Sequence, residues 1–353
     1  MKKSLFRFLT VILVLPVLLG TVGGNALAQG PESSEPAETE PVADGRARPS
    51  VCGRLQVIDG KLCSRSGEPV MLRGVSSNGL ITAEDLINAP LFQELSRDVG
   101  INLYRFAMYT YGVGIVGYCT NGDKDRHKQD IEKGIELCRE ADMYALIDWH
   151  ILSDGDPNRY LEEAKAFFAE TAEKYRDYSN VLYEICNEPN GVDWPTVKQY
   201  AEEIIPVIRE HDPDAVIIVG CPDWSKDLRS VAADPLKFDN ILYTLHFYSA
   251  THGQDFRDMT EELSQAGLPI FVTEFGVTAA SGGLPRDLES ADLWIELLER
   301  ENISWCMWSY SMVREACSAL RAGLHKYSGF EREDYSATGQ WLLDTLARYD
   351  SLG

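Results

Sequence analysis

Two glutamates carry the most informative surroundings in the chain: Glu188 in Ile-Cys-Asn-Glu-Pro-Asn and Glu274 in Val-Thr-Glu-Phe-Gly-Val. Each closes a run of β-branched and aromatic residues, and Arg105, His150, Asn187, His246, Tyr248 and Trp308 close or follow similar runs. Two carboxylates without metal-ligand spacing suit cleavage of a glycosidic bond. Its oxocarbenium-like transition state needs a proton donor at the leaving oxygen and a negative charge beneath the ring. A pair about 5–5.5 Å apart retains the anomeric configuration, and a pair about 6.5–9.5 Å apart inverts it.

Neighbours assign the roles. Arg105 and Tyr248 can donate hydrogen bonds to Glu274 and hold it ionised as the nucleophile. Glu188 has no cation in its own segment, and beside an ionised Glu274 it keeps its proton and acts as the acid. Once Glu274 is glycosylated its charge is gone, so Glu188 becomes a better base for water. Asn187 is placed for the sugar 2-hydroxyl, a contact that strengthens in the transition state. Glu184, deeper in the same run, reads as an ion-pair member inside the fold. Each motif alone is weak, because Glu-Pro often opens a loop and a lone histidine or tryptophan is more often structural. Their joint occurrence at strand ends is what carries the reading.

The elements that must position these groups repeat regularly. Strand-like runs fall at 69–76, 101–108, 144–150, 180–187, 215–220, 240–247, 269–276 and 303–310. Helix-like segments fall at 84–99, 127–141, 158–176, 194–210, 225–232, 255–266, 288–301 and 337–349. Eight strand–helix units give an α/β fold, a single (β/α)8 TIM barrel, with an N-terminal β-hairpin turning at Asp59-Gly60. In this barrel the C-terminal strand ends carry the chemistry. Strict alternation sets Asn187 and Glu188 on opposite faces, so their strand must twist or bulge if both serve one pocket. A doubly wound sheet would want a Gly-rich nucleotide loop, which residues 74–79 do not supply. A phosphate-handling barrel would want a glycine cup late in the chain, and Ser281-Gly282-Gly283 is explained more simply as a flexible loop.

Composition sets the remaining bounds. The 353 residues carry a formal charge of −22, which disfavours nucleic acid and anionic membrane surfaces as partners. A neutral polysaccharide is unaffected by that charge, and a monomer is expected. Residues 1–28 read as a signal peptide, with Lys2 and Lys3, an apolar run and a small-residue cleavage pattern at Ala26-Leu27-Ala28. Secretion follows, with no membrane association after cleavage. Residues 29–50 form an acidic Pro/Glu/Ser-rich tail, and 51–353 the catalytic domain. The eight cysteines lack CxxC spacing, so no zinc site is expected and most should be free and buried; Cys52 with Cys63 is the one pairing the spacing permits. No cofactor, no metal and no calcium loop is implied.

The motifs together resemble glycoside hydrolase family 5, in its bacterial endoglucanase (cellulase) type. The likeness covers about residues 51–350, through RGVSSNGL (73–80), YRFAMYT (104–110), DWH (148–150), YEICNEPN (183–190), YTLHFY (243–248), FVTEFG (271–276) and CMWSY (306–310). It implies a retaining β-1,4-glucanase with Glu188 as acid/base and Glu274 as nucleophile. It also implies a surrounding shell of Arg105, His150, Asn187, His246, Tyr248 and Trp308, with Tyr109 and Trp224 lining the cleft and a cis peptide after Trp308. Departures fall on the non-reducing side. Asn78 stands where the type usually has His, Ile81 where it has Trp, and Val313, followed by Arg314 and Glu315, where it has Lys. Losing an aromatic platform weakens stacking on sugar faces, so other specificities of the family (mixed-linkage glucan, xyloglucan or mannan) stay open. A non-hydrolytic glycan-binding barrel would have lost a carboxylate, and both are present.

Overall fold

In the computed structural model the described residues are 45–112 and 114–350. A two-stranded antiparallel hairpin, β1 (Gln56–Ile58) and β2 (Lys61–Cys63), precedes the main sheet. Its turn has positive φ at both Asp59 (49°) and Gly60 (77°), the twist that a two-residue hairpin needs.

Eight parallel strands then close into a barrel in the order β10-β3-β4-β5-β6-β7-β8-β9. They are β3 (Arg73–Ser76), β4 (Leu103–Tyr109), β5 (Tyr144–His150), β6 (Val181–Glu184), β7 (Ile217–Val219), β8 (Ile241–Tyr248), β9 (Ile270–Gly276) and β10 (Trp305–Trp308). The (β/α)8 expectation holds, hairpin included. Every residue of β5, β8 and β9 is buried, as helix-covered parallel strands require. Side chains alternate between two environments. Tyr104, Phe106, Ala145, Ile147 and Tyr183 face the surrounding helices, which form the large outer core. Leu103, Leu146, Leu182, Ile218, Leu242, Phe271 and Cys306 fill the barrel's lower interior. Above that apolar layer the inward positions turn polar, and the site is built there.

The helices are α1 (Pro49–Cys52), α2 (Ala89–Glu94), α3 (Lys124–Glu140), α4 (Leu161–Tyr175), α5 (Trp194–His211), α6 (Pro222–Ser225), α7 (Leu228–Ala233), α8 (Gln254–Gln265), α9 (Leu288–Arg300) and α10 (Ala337–Asp350). The single helix expected over 84–99 is broken into a 3-10 segment, α2 and a π-helical turn ending at Gly100. The cause is Asn88, whose side chain accepts from the Leu91 N–H and starts a new helix ahead of Pro90.

Two strand expectations need correction. β6 ends at Glu184, so Asn187 and Glu188 lie beyond it; their N–H groups donate to Trp149 and Ile151 carbonyls at 3.2 and 3.3 Å. Freed from strand alternation, both side chains reach the pocket. The bulge lies in β9 instead: Thr244 pairs with Phe271 but His246 with Glu274, and the β10 register skips likewise between Val272 and Phe275. The extra residue turns both Thr273 and Glu274 inward.

The segment expected to be a tail is packed at its end. Arg46 pairs with Asp350 and donates to the Ser96 carbonyl at 2.9 Å, and Arg48 donates to Ser96 Oγ at 2.9 Å. The folded part therefore starts before Val51. The signal-peptide reading of residues 1–28 lies outside the described residues. The Cys52–Cys63 pairing is not formed, and all eight cysteines are free. Cys52 adjoins Arg65, which donates to its carbonyl, whereas the Cys63 thiol turns to the Lys61 carbonyl. Six of the eight are buried, as expected. No helix among the described residues is long and apolar enough to cross a membrane.

Candidate active site

Arg105, delivered by β4, is wholly buried and organises the polar layer. Its guanidinium donates to both Glu184 oxygens (2.7 and 3.2 Å), Glu274 Oε2 (3.2 Å), Asn187 Oδ1 (2.6 Å) and Ser76 Oγ (3.3 Å), and it forms an ion pair with Asp148 Oδ2 at 3.0 Å. One cation thus faces three carboxylates, which the planar fork of Arg can do and a Lys cannot. Arg105→Met would leave those charges buried without a counter-ion. It is expected to lower unfolding stability by about 3–5 kcal/mol, read as a reduced urea midpoint; a loss below about 1 kcal/mol would show the network to be structurally idle.

Glu274, 5% exposed, also accepts from Tyr248 Oη at 2.7 Å. Glu188, 9% exposed, has its Oε1 at 2.8 Å from His246 Nδ1. An oxygen of Glu188 and one of Glu274 lie within 4.8 Å of each other, with a His246 nitrogen inside the same span. Burial pushes both carboxyls above their usual range, Glu188 to about 8. Donors from Arg105 and Tyr248 converge on Glu274, so the proton shared by the pair belongs on Glu188.

These three side chains are close enough to share a cation, but their ligand atoms are engaged. Both His246 nitrogens bond within the protein, to Glu188 and to Thr273 Oγ1 (2.9 Å), and Glu274 is held by Arg105 and Tyr248. The donor set fits paired-carboxylate chemistry better than a metal centre.

The other expected residues gather around this pair. His150 bonds Asp148 Oδ2 through Nδ1 at 2.6 Å, and burial pushes it down to about 3, so it is neutral. Burial pushes Asp148 up to about 7. Asn187 Nδ2 donates to the Ile151 carbonyl (3.0 Å) and lies 3.3 Å from His150 Nε2. Tyr109 packs on His150 with ring centres 4.2 Å apart, and Trp308 lies parallel to it at 5.3 Å, with a cis Trp308-Ser309 peptide. Glu184 is the interior ion-pair member that its depth implied.

Trp224 is 46% exposed at one end of the cleft. It sits in a left-handed turn, with φ near 58° at Asp223, Trp224 and Ser225, a conformation that costs non-glycine residues about 1–2 kcal/mol each. Ser225 Oγ donates to the Asn187 carbonyl (2.6 Å) and the Trp224 N–H to the Pro189 carbonyl (3.0 Å). The strained turn is therefore tied to the segment that holds Glu188. Glu188, Trp224, Lys226, His246, Tyr248, His252 and Ala280 line a cavity of about 270 Å³. Asn78 is at the opposite rim, above β3 and β10, where its Nδ2 lies 3.4 Å from Glu315 Oε2. Val313 is half-buried nearby, and the side chain of Ile81 lies outside the described residues.

Sequence reasoning gave no role to Asp148, Thr273, Lys226, His252 or Glu315. Asp148 and Thr273 were visible as polar residues inside apolar runs; the other three lie in loops and carry no periodic signal.

The sequence matches the family Cellulase (glycosyl hydrolase family 5) over residues 63–312. The chain belongs to glycosyl hydrolase family 5. This family 5 member is thus a glycoside hydrolase, and its paired glutamates stand on the barrel face where such chemistry is done. It is 40% identical over 321 residues to Endoglucanase A of Butyrivibrio fibrisolvens, covering 89% of this chain and 74% of that one. It is 38% identical over 347 residues to an endoglucanase of Clostridium saccharobutylicum, covering 98% and 72%. Among solved structures it superposes on cellulase Cel5C_n with a TM-score of 0.81 at 39% identity, covering 88% of this chain and 95% of that one. The catalytic domain of Thermobifida fusca endoglucanase Cel5A, solved with cellotetraose, matches with a TM-score of 0.79 at 36% identity, covering 85% and 100%.

Proposed function

We propose that this family 5 hydrolase is a secreted retaining endo-β-1,4-glucanase, acting as a monomer on internal bonds of cellulose or related β-glucans. The observation that carries the reading is that an oxygen of Glu188 and one of Glu274 lie within 4.8 Å, the close spacing that suits a retaining pair rather than the wider gap of an inverting one. Glu274, aligned by Tyr248 and Arg105, attacks the anomeric carbon while Glu188 protonates the departing oxygen. Glu188 then takes a proton from water, and the glycosyl–Glu274 ester is cleaved. Asn187 contacts the 2-hydroxyl by exchanging its longer bond to His150.

The acid marks the leaving-group side. Trp224 stands beside Glu188 in the same cavity and stacks on the departing sugar. The opposite rim, with Asn78 and Glu315, takes the non-reducing end. That rim carries the polar Asn78 and Glu315 beside Val313, which favours a soluble, irregular chain such as mixed-linkage glucan over crystalline cellulose. The relatives named above are endoglucanases, and one matching structure holds a four-sugar glucan fragment, which supports the polymer class. Export rests on residues 1–28.

Product profiles on carboxymethyl-cellulose, mixed-linkage β-glucan, glucomannan and xylan test the reading. Short oligosaccharides from the two glucans, with faster turnover of the mixed-linkage polymer and a rapid drop in viscosity, are expected. Release from xylan or mannan alone would move the enzyme to another specificity.

A further inference from the structure

We propose that Thr273 is a positioning residue: it fixes His246 as the Nε2–H tautomer and so makes Glu188 the hydrogen donor in the Glu188–His246 bond. This rests on the reading of Glu188 as the acid. It adds the device that keeps the acid proton in place before substrate arrives.

The argument is a count of hydrogens. A threonine hydroxyl has one hydrogen and two lone pairs. Thr273 Oγ1 has three polar neighbours: Glu184 Oε1 at 2.7 Å, His246 Nε2 at 2.9 Å and Thr244 Oγ1. Burial pushes the Glu184 carboxyl up, but its two bonds from Arg105 and the ion pair they make hold it ionised and therefore an acceptor only. The Thr273 hydrogen thus goes to Glu184. Thr244 Oγ1 accepts the Thr273 N–H at 3.1 Å and turns its own hydrogen to Thr273 Oγ1. One lone pair of Thr273 remains, and it faces His246 Nε2, which must carry a hydrogen. Neutral imidazole has only one N–H, so Nδ1 is bare. The 2.8 Å contact from Nδ1 to Glu188 Oε1 is then a bond only if the carboxyl brings the proton.

The neutral state of His246 agrees with its surroundings, since burial pushes it down to about 4. The groups facing the pair are Arg105 and Tyr109 from β4, Asp148 and His150 from β5, Glu184 at the end of β6, Lys226 after α6, Tyr248 from β8 and Glu274 from β9. Arg105 and Lys226 favour the Glu188 anion, while Asp148 and Glu184 oppose it. Thr273 adds a contribution of a different kind, because it decides whether the nearest nitrogen offers a hydrogen or a lone pair. The β9 bulge is what permits it, since it turns Thr273 and Glu274 inward together. During turnover, loss of the proton to the leaving oxygen leaves the Glu188 anion facing a bare nitrogen. That arrangement favours recapture of a proton from water in the second step.

Thr273→Val keeps the shape and removes the hydroxyl, leaving His246 free to move its hydrogen to Nδ1 and stabilise the Glu188 anion. The alkaline limb of kcat/KM should then fall by about one pH unit or more, with Thr273→Ser restoring it. Nitrogen NMR of the wild-type enzyme should show His246 neutral and protonated at Nε2, and this readout stands even if the valine variant folds poorly. A hydrogen on Nδ1 in the wild type, or an alkaline limb unmoved in a folded Thr273→Val enzyme, overturns the proposal. Failure of the underlying acid assignment looks different: Glu188→Ala would keep full activity on poor leaving groups, whatever the His246 tautomer.

Discussion

Glu274→Gly is expected to lower kcat roughly 10⁴- to 10⁶-fold while the barrel stays folded. The size of the effect follows from losing the covalent step, because the other buried carboxylates of the polar layer, Glu184 and Asp148, are held by Arg105. Glu184 and Asp148 lie deeper and remain bound to Arg105, so the cation keeps two partners and the fold keeps its polar layer. Tyr248 Oη loses its acceptor, a cost of about 1–3 kcal/mol that a melting curve will register without unfolding the protein. Azide supplied to this variant occupies the vacated volume and attacks the anomeric carbon from the same side. With an aryl β-glycoside carrying a good leaving group, the product should be the α-glycosyl azide. Rates within tenfold of wild type would remove Glu274 from the reaction.

Glu188→Gln is expected to act differently on different substrates. Polysaccharide and alkyl glycosides, whose leaving oxygens need a proton, should slow by about 10²- to 10⁴-fold. An aryl glycoside with an acidic leaving group needs no such help, so its first step should survive and the glycosyl–enzyme should accumulate for want of a base. The pH profile should change in shape as well as height. In the wild type the acid must be protonated, so kcat/KM falls as pH rises through the Glu188 value of about 8. The nucleophile must be ionised, so the rate also falls as pH drops through the value of Glu274, which burial raises. Glutamine at 188 removes the alkaline limb and leaves the acid limb. An alkaline limb that persists in Glu188→Gln would assign the proton to another group.

The barrel was legible in the sequence because its strands are apolar on both faces and need no alternation to be recognised. The run 144–150 coincides with β5 for that reason, and the run 240–247 lies within one residue of β8 at each end. The chemistry was legible where polar residues interrupt or close such runs, as at Arg105, His150, His246 and Glu274. Register was not. A bulge has no compositional mark, so the sequence placed the irregularity beside Asn187 and Glu188, whereas β6 simply ends early and β9 carries the extra residue. The Glu184–Thr273–His246 chain was also hidden, since it joins residues 89 and 27 positions apart that meet only when the sheet closes. The outer cleft was hardest to read. Trp224 was placed in the cleft only through the family resemblance, and the left-handed turn that holds it, with Lys226, His252 and Glu315 around the rim, depends on loop paths that no periodicity encodes.

Proton NMR of the anomeric signals during hydrolysis of a soluble cello-oligosaccharide tests the double displacement most directly. With the two carboxylates this close, the β-anomer of the new reducing end should appear first, and the α-anomer only later as mutarotation proceeds. An α-anomer that leads from the earliest spectra would mean a single displacement by water, and the assignment of Glu274 as nucleophile would be wrong.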